Sequence, residues 1–222
     1  MAFESLSDKL TEAFKRLRTN IIMSFPQGKK CCTIGVTSAQ PSEGKSTVSL
    51  NLAYSLAELG DKVLLIDADM RRSSIHKKLG IELTPGLSNL MEDTNSISTV
   101  VKKYQSSTDD TWFDIITGGS TPLNPSELLN SKRMEQLLKA LKSVYDYIVI
   151  DLPPVGAVID AVAVSKQTDG MLVVIRENNC PRRVLTDCVD QLKFANINIL
   201  GFVMNGALEG AGKRYQYSSY YK

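Results

Sequence analysis

Apolar residues recur along the first segment at spacings of three and four: Phe3, Leu6, Leu10, Phe14, Leu17 and Ile21. That spacing predicts an amphipathic helix ending before Pro26. Its other face carries Lys9, Glu12, Lys15, Arg16 and Arg18, which suits either a helix packed on its own domain or one docked on another subunit. Short, nearly continuous apolar runs follow at Cys32–Thr37, Val63–Ile66, Tyr147–Ile150, Met171–Ile175 and Ile199–Met204. Runs of this length predict strands buried on both faces, as in a parallel sheet. Trp112–Thr117 is a weaker candidate. Between them, Ser46–Leu59 is apolar nearly all round, as a helix packed hard on a sheet would be. Met134, Leu137, Leu138 and Leu141 form a one-sided stripe, and Pro181–Ala195 is a further helix.

Strand–helix alternation predicts an α/β fold: a doubly wound, mostly parallel sheet with helices on both faces and right-handed crossovers. Ligands of such sheets sit beyond the carboxyl ends of the strands. The segment Thr84–Asp110 is polar, with short helical hints, and reads as an excursion over the surface. From Glu209 onward aliphatic periodicity stops. The expected organisation is one domain over residues 1–208, with its N-terminal helix at 3–25, and a flexible tail over 209–222.

Composition narrows the function. Lys and Arg number 26 against 24 Asp and Glu, a formal charge of +2, which argues against a general nucleic-acid coat. No apolar run approaches the ~20 residues of a membrane span, and the N-terminus lacks a signal-peptide core. A cytoplasmic chain is expected, with any membrane role supplied by a partner. Cys31, Cys32, Cys180 and Cys188 form no Cys-x-x-Cys and read as reduced thiols, and His76 is the single histidine. Of eight tyrosines, Tyr215, Tyr217, Tyr220 and Tyr221 crowd into the last eight residues.

Chemistry concentrates at three strand ends. After the first strand, Gly44-Lys45-Ser46-Thr47 leads into a helix, the context of a phosphate-binding loop. Backbone N–H groups of such a loop point at phosphates, Gly44 permits close approach, Lys45 meets the β/γ-phosphates, and the Ser46 hydroxyl can ligate Mg²⁺. Ala39 stands where the general pattern has its first glycine. The second strand ends in Asp67-Ala-Asp69-Met-Arg71, two carboxylates suited to a water-mediated Mg²⁺ shell or to accepting a hydroxyl proton. The strand Tyr147–Ile150 ends in Asp151, a Walker B carboxylate, followed by Leu152-Pro153-Pro154.

With these motifs, with Asn124-Pro-Ser-Glu-Leu-Leu129 and with the terminal tyrosine cluster, the chain resembles the bacterial tyrosine kinases (BY-kinases) of capsule and exopolysaccharide assembly. These belong to the P-loop group that includes the MinD and ParA ATPases. MinD- and ParA-like proteins carry a signature lysine where this chain has Gln40. The resemblance implies an ATP-dependent autokinase that regulates capsular or extracellular polysaccharide synthesis and export, with ATP and Mg²⁺ as cofactors. It places the phosphates on Ser42, Glu43, Gly44, Lys45, Ser46 and Thr47. Ser46, Asp69 and Asp151 serve the metal, and Asn205 reads the adenine edge or is a strand-end turn residue. Asp67 is the candidate base, not separable from Asp69 at this point, and Arg71 meets phosphate or the acceptor or is a surface arginine. The phosphoacceptors are Tyr215, Tyr217, Tyr220 and Tyr221. A helix motif, here Glu12, Lys15 and Arg18 with lysine in place of an arginine, implies a homo-oligomeric ring such as an octamer. Implied partners are a transmembrane activator of the polysaccharide co-polymerase type, which would hold the kinase at the inner membrane face, and a cognate tyrosine phosphatase. A nucleotide-switched assembly ATPase and a non-catalytic nucleotide-binding regulator are the competing classes.

Overall fold

The computed structural model describes residues 7–155, 164 and 166–206. In chain order the elements are α1 (Asp8–Met23), β1 (Cys32–Ser38), α2 (Lys45–Ala57), β2 (Val63–Asp67), α3 (Ile75–Leu79), α4 (Leu87–Met91), α5 (Ile97–Val100), β3 (Val101–Gln105), β4 (Trp112–Ile116), α6 (Pro125–Leu129), α7 (Lys132–Leu141), β5 (Tyr147–Asp151), β6 (Gly170–Arg176), α8 (Arg182–Phe194) and β7 (Ile199–Asn205). The strands make one seven-stranded sheet in the order β3-β4-β2-β5-β1-β6-β7. All neighbours are parallel except β3, which runs antiparallel to β4.

The continuous apolar runs have a simple cause. Successive side chains of a strand point to opposite faces, and both faces of this sheet are covered. Ile148 and Ile150 of β5 join one core, with Leu64 and Ile66 of β2 and with Met134, Leu138 and Leu141 of α7. Val149 joins the other, with Ile34 and Val36 of β1 and the α2 residues Leu50, Leu52 and Leu56. α2 is apolar nearly all round because it lies between the sheet and α1; Ile21 of α1 is buried, and Phe14, Leu17 and Ile22 pack on the same core. The expected helix is present in its described part, with Phe3 and Leu6 outside the described residues.

Two expectations change. Thr84–Asp110 is not a plain surface excursion: it contains α4, α5 and the edge strand β3. β3 escapes an apolar-run criterion because an edge strand carries charge. Lys102 donates to the Glu82 carbonyl (2.6 Å), and the Lys103 ammonium lies 3.7 Å from the centre of the Trp112 ring. The second change concerns Arg18. Its Nη1 donates to the Ser55 carbonyl at 2.5 Å and pairs with Glu58 Oε2 at 3.2 Å, fastening α1 to the end of α2. A largely buried anchor of this kind contributes on the order of 1 kcal/mol, and it commits Arg18 within its own chain. Glu12 pairs with Arg16 at 3.3 Å on the exposed face, and Lys15 is exposed.

Candidate active site

The register of the parallel strands brings the three sequence motifs together. Asp67 and Asp151 are direct neighbours across β2 and β5, and Val36 of β1 lies opposite Asp151. Beyond these strand ends is a cavity of about 370 Å³, whose lining includes Ser42, Gly44, Lys45, Ser46, Thr47 and Asp69.

The loop that closes it is braced from below. Gly44 caps α2 in the left-handed region, φ +94°, and a Cβ there would fall 1.9 Å from Asn205 Nδ2. Glycine is required for the turn and for the close approach alike. Asn205 Nδ2 donates to the Glu43 carbonyl at 2.9 Å. The Glu43 carboxylate is fully buried; its oxygens accept the N–H groups of Gln40 (2.8 Å) and Arg176 (3.4 Å). Glu43, grouped by sequence with the phosphate-binding residues, therefore turns its side chain into the support of the loop, away from the cavity. Asn205 ends β7 beneath the same loop, its amide nitrogen engaged there.

Lys45 Nζ is 3.2 Å from Asp69 Oδ2, both side chains almost fully buried. Asp69 Oδ1 accepts the Arg72 N–H. Behind this pair Asp67 is wholly buried. Its Oδ2 takes the Ser73 hydroxyl at 2.6 Å and the N–H groups of Ser74 and Ile75 at 3.3 Å. Asp151 Oδ1 lies 3.2 Å from the Ser49 hydroxyl. Burial pushes the proton affinity of both Asp67 and Asp151 above the usual carboxylate range, with neighbouring carboxylates adding to it; Lys45 opposes the rise at Asp151, and Ser73 at Asp67. Arg71 is exposed, and its Nη2 donates to Ser126 Oγ at 3.3 Å, which links the cavity rim to the Asn124–Leu129 motif. His76 lies with its Nδ1 3.4 Å from Ser73 Oγ. The four tail tyrosines lie outside the described residues.

The donor set fits a nucleotide-bound Mg²⁺. Asp67 Oδ1 and Asp151 Oδ2 are buried with no hydrogen-bond partner, an arrangement suited to a cation or its water. Among the described residues no group of three or more carboxylate, histidine or thiol ligands could hold a metal alone. That agrees with Mg²⁺, which binds through few carboxylates and through substrate phosphates. Ser49, Ser73, Lys78 and the buried role of Glu43 were missed by sequence reasoning. Ser49 had a usable signal, lying one helical turn after Lys45; the other three act through contacts that no spacing reveals.

The raised carboxyls have a measurable consequence. Folded groups of raised proton affinity keep protons that the unfolded chain releases above about pH 4, so their stabilising contribution is complete below that pH and is lost as pH rises. Without nucleotide, the melting midpoint is expected to fall between about pH 5 and pH 8, and Asp151→Asn to flatten the slope. A slope identical in the variant would contradict this account.

Comparison with known proteins bears on the family and the fold. A family model described as an AAA domain matches residues 32–199. The tyrosine-protein kinase YwqD of Bacillus subtilis is 33% identical over 207 residues, 93% of this chain and 85% of its own length. The tyrosine-protein kinase etk of Escherichia coli is 33% identical over 98% of this chain, which spans only 29% of etk. A Klebsiella pneumoniae relative, named as a tyrosine-protein kinase in a cps region, is 32% identical over 97% of this chain and 29% of its own. Among solved structures, the kinase domain of Escherichia coli ETK superposes with a TM-score of 0.83, covering 94% of this chain and 80% of that one. MinD of Pyrococcus horikoshii, complexed with Mg-ADP, shares the fold at 24% identity and a TM-score of 0.65, covering 81% of this chain and 72% of that one. Among the described residues no helix is long and apolar enough to cross a membrane. The chain shares its fold with MinD, and it belongs to the bacterial tyrosine kinases.

Proposed function

We propose that the chain is an ATP-dependent autokinase that transfers the γ-phosphoryl group to the tyrosines of its own tail and so regulates polysaccharide synthesis. The observation that carries this reading is the buried Lys45–Asp69 pair at the cavity wall, with the raised carboxyl of Asp67 behind it. It is joined by a family membership that makes tyrosine the acceptor. Backbone N–H groups from Ser42 to Thr47 would take the phosphates, and Lys45 would leave Asp69 for the β/γ-phosphates. Ser46, Asp69 and Asp151 would hold Mg²⁺, which would supply charge neutralisation at the transferring group when bound. Asp67 has the properties of a base: an oxygen without a partner, the other held rigidly, and a proton affinity raised toward neutrality. A phenol of pKa ~10 leaves most of the catalysis to positioning, so this base acts as charge develops in transfer. Arg71, at the rim, would steer the phosphate or the acceptor.

The cps name of one relative supports the polysaccharide role. A transmembrane activator of the co-polymerase type would bring the kinase to the membrane, and a tyrosine phosphatase would reset it. Ring assembly would use the exposed face of α1, through Glu12 and Lys15 more than through Arg18. Unphosphorylated tails would hold neighbours together, and phosphorylation, which adds about −1.5 to −2 charges per site, would release them.

Incubation with labelled ATP and detection of phosphotyrosine, with the activator's cytoplasmic segment present, tests the activity. Label on tyrosine supports it; phosphate release without phosphotyrosine would mark a switch ATPase, and binding alone a regulator. With Tyr215, Tyr217, Tyr220 and Tyr221 all changed to Phe, ATP is expected to leave the assembly mass unchanged where it dissociates the unaltered protein. Dissociation that persists in the Phe variant defeats the tail-release idea.

A further inference from the structure

We propose that Lys78 is a second phosphate-binding cation of this site, acting at the α/β-phosphate end of a bound nucleotide. The inference rests on the nucleotide-site reading above and extends it to a residue outside the three motifs. Lys78 lies on α3 and lines the same cavity as Lys45. Its Nζ reaches across to α2, 3.1 Å from Thr47 Oγ1.

Three facts make this contact more than a surface lysine at rest. First, the partner is a neutral hydroxyl. Lys45 has a carboxylate at 3.2 Å, whereas Lys78 has no carboxylate within ion-pair distance among the described residues. A lysine held over a cavity loses side-chain freedom, and a hydroxyl returns less than an anion, whose charge-assisted hydrogen bonds are about twice as strong. Second, the element presenting it is braced. Asp67 holds the start of α3 through Ser73, Ser74 and Ile75, the Ile75 side chain is fully buried, and Gly80 at φ +66° closes the helix. The ammonium is thus carried by a short, fixed arm tied to the catalytic strand end. Third, its place in the cavity selects the phosphate. In a phosphate loop the lysine meets the β/γ-phosphates and the backbone cradles the α/β pair. Thr47 lies two residues past Lys45, in the first turn of α2, so a cation beside it serves the α/β end.

The consequence is a division of labour between the two lysines. Lys45 would follow the transferring group, while Lys78 would grip the part of the nucleotide that remains after transfer. ADP and ATP should then depend on Lys78 to a similar extent, and ADP release should quicken without it. Isothermal titration of the full-length chain with Mg-ATP and with Mg-ADP tests this in the unaltered protein, in Lys78→Met and in Lys78→Arg. Lys78→Met is expected to weaken both nucleotides by about tenfold, and by similar factors. Lys78→Arg should restore most of that loss, and the nucleotide-free melting midpoint of Lys78→Met should match the unaltered protein. Unchanged affinities in Lys78→Met, or a loss confined to ATP, would overturn the proposal while leaving the nucleotide site standing. Failure of the unaltered protein to bind either nucleotide would instead overturn the site reading itself.

Discussion

Lys45→Met is expected to abolish phosphotyrosine formation, with a fall of at least about a thousandfold. Methionine keeps the unbranched apolar stem of the side chain and removes the terminal ammonium, and two losses follow. The β/γ-phosphates lose the charge that offsets theirs where it builds during transfer. Asp69, almost fully buried, loses its partner at 3.2 Å and faces the incoming triphosphate as an uncompensated anion. Breaking a buried pair from one side costs far more than the pair contributes when intact. Nucleotide affinity should therefore fall together with transfer. Titration with Mg-ATP beside the phosphotyrosine assay separates the two, and residual transfer above about a tenth of normal would mean that Lys45 is not the phosphate cation assigned here.

Asp67→Asn should behave differently. Its carboxylate lies behind Asp69, fully buried, with one oxygen fixed by Ser73 and the start of α3. Asparagine preserves the shape and accepts the Ser73 hydroxyl through its carbonyl, yet it cannot take a proton. Transfer is expected to fall by about 10²–10⁴, with ATP affinity close to that of the unaltered chain. Asp69→Asn, which uncouples Lys45 and the proposed metal shell, should weaken ATP binding and raise the Mg²⁺ requirement. Near-normal transfer by Asp67→Asn would remove it as the base. Because Asp67 holds its proton above the usual carboxylate range, the same substitution should also stabilise the nucleotide-free protein toward alkaline pH.

Why these groups were visible in the sequence, and others not, follows from what a linear pattern encodes. β1, β2 and β5 are buried on both faces, so their apolar runs end abruptly where the chain reaches the site. The residues at those ends, Lys45, Asp67, Asp69 and Asp151, stand out by contrast. β3 has the opposite character: as an edge strand it mixes Lys102 and Lys103 with Val101 and Tyr104, and its pairing with β4 depends on partners distant in sequence. α3, α4 and α5 have four or five residues each, too few for a helical period to register. Glu43 and Arg18 illustrate a further limit. Each occupies a motif position, and position alone does not disclose that Glu43 faces two backbone N–H groups or that Arg18 bends down onto Ser55 and Glu58. Lys78 is adjacent to another lysine, and nothing local distinguishes which of the two crosses to Thr47.

Arg18 grips the far end of α2, whose near end begins at Lys45, in the proposed phosphate loop. Thirteen residues of helix, about 20 Å, join the two. α2 thus has the form of a strut: if the proposed ring or activator contacts act on α1, force applied there would pass, with one rigid body between, to the loop proposed to grip ATP. Loosening Arg18 would disconnect that lever without touching the chemistry at its tip.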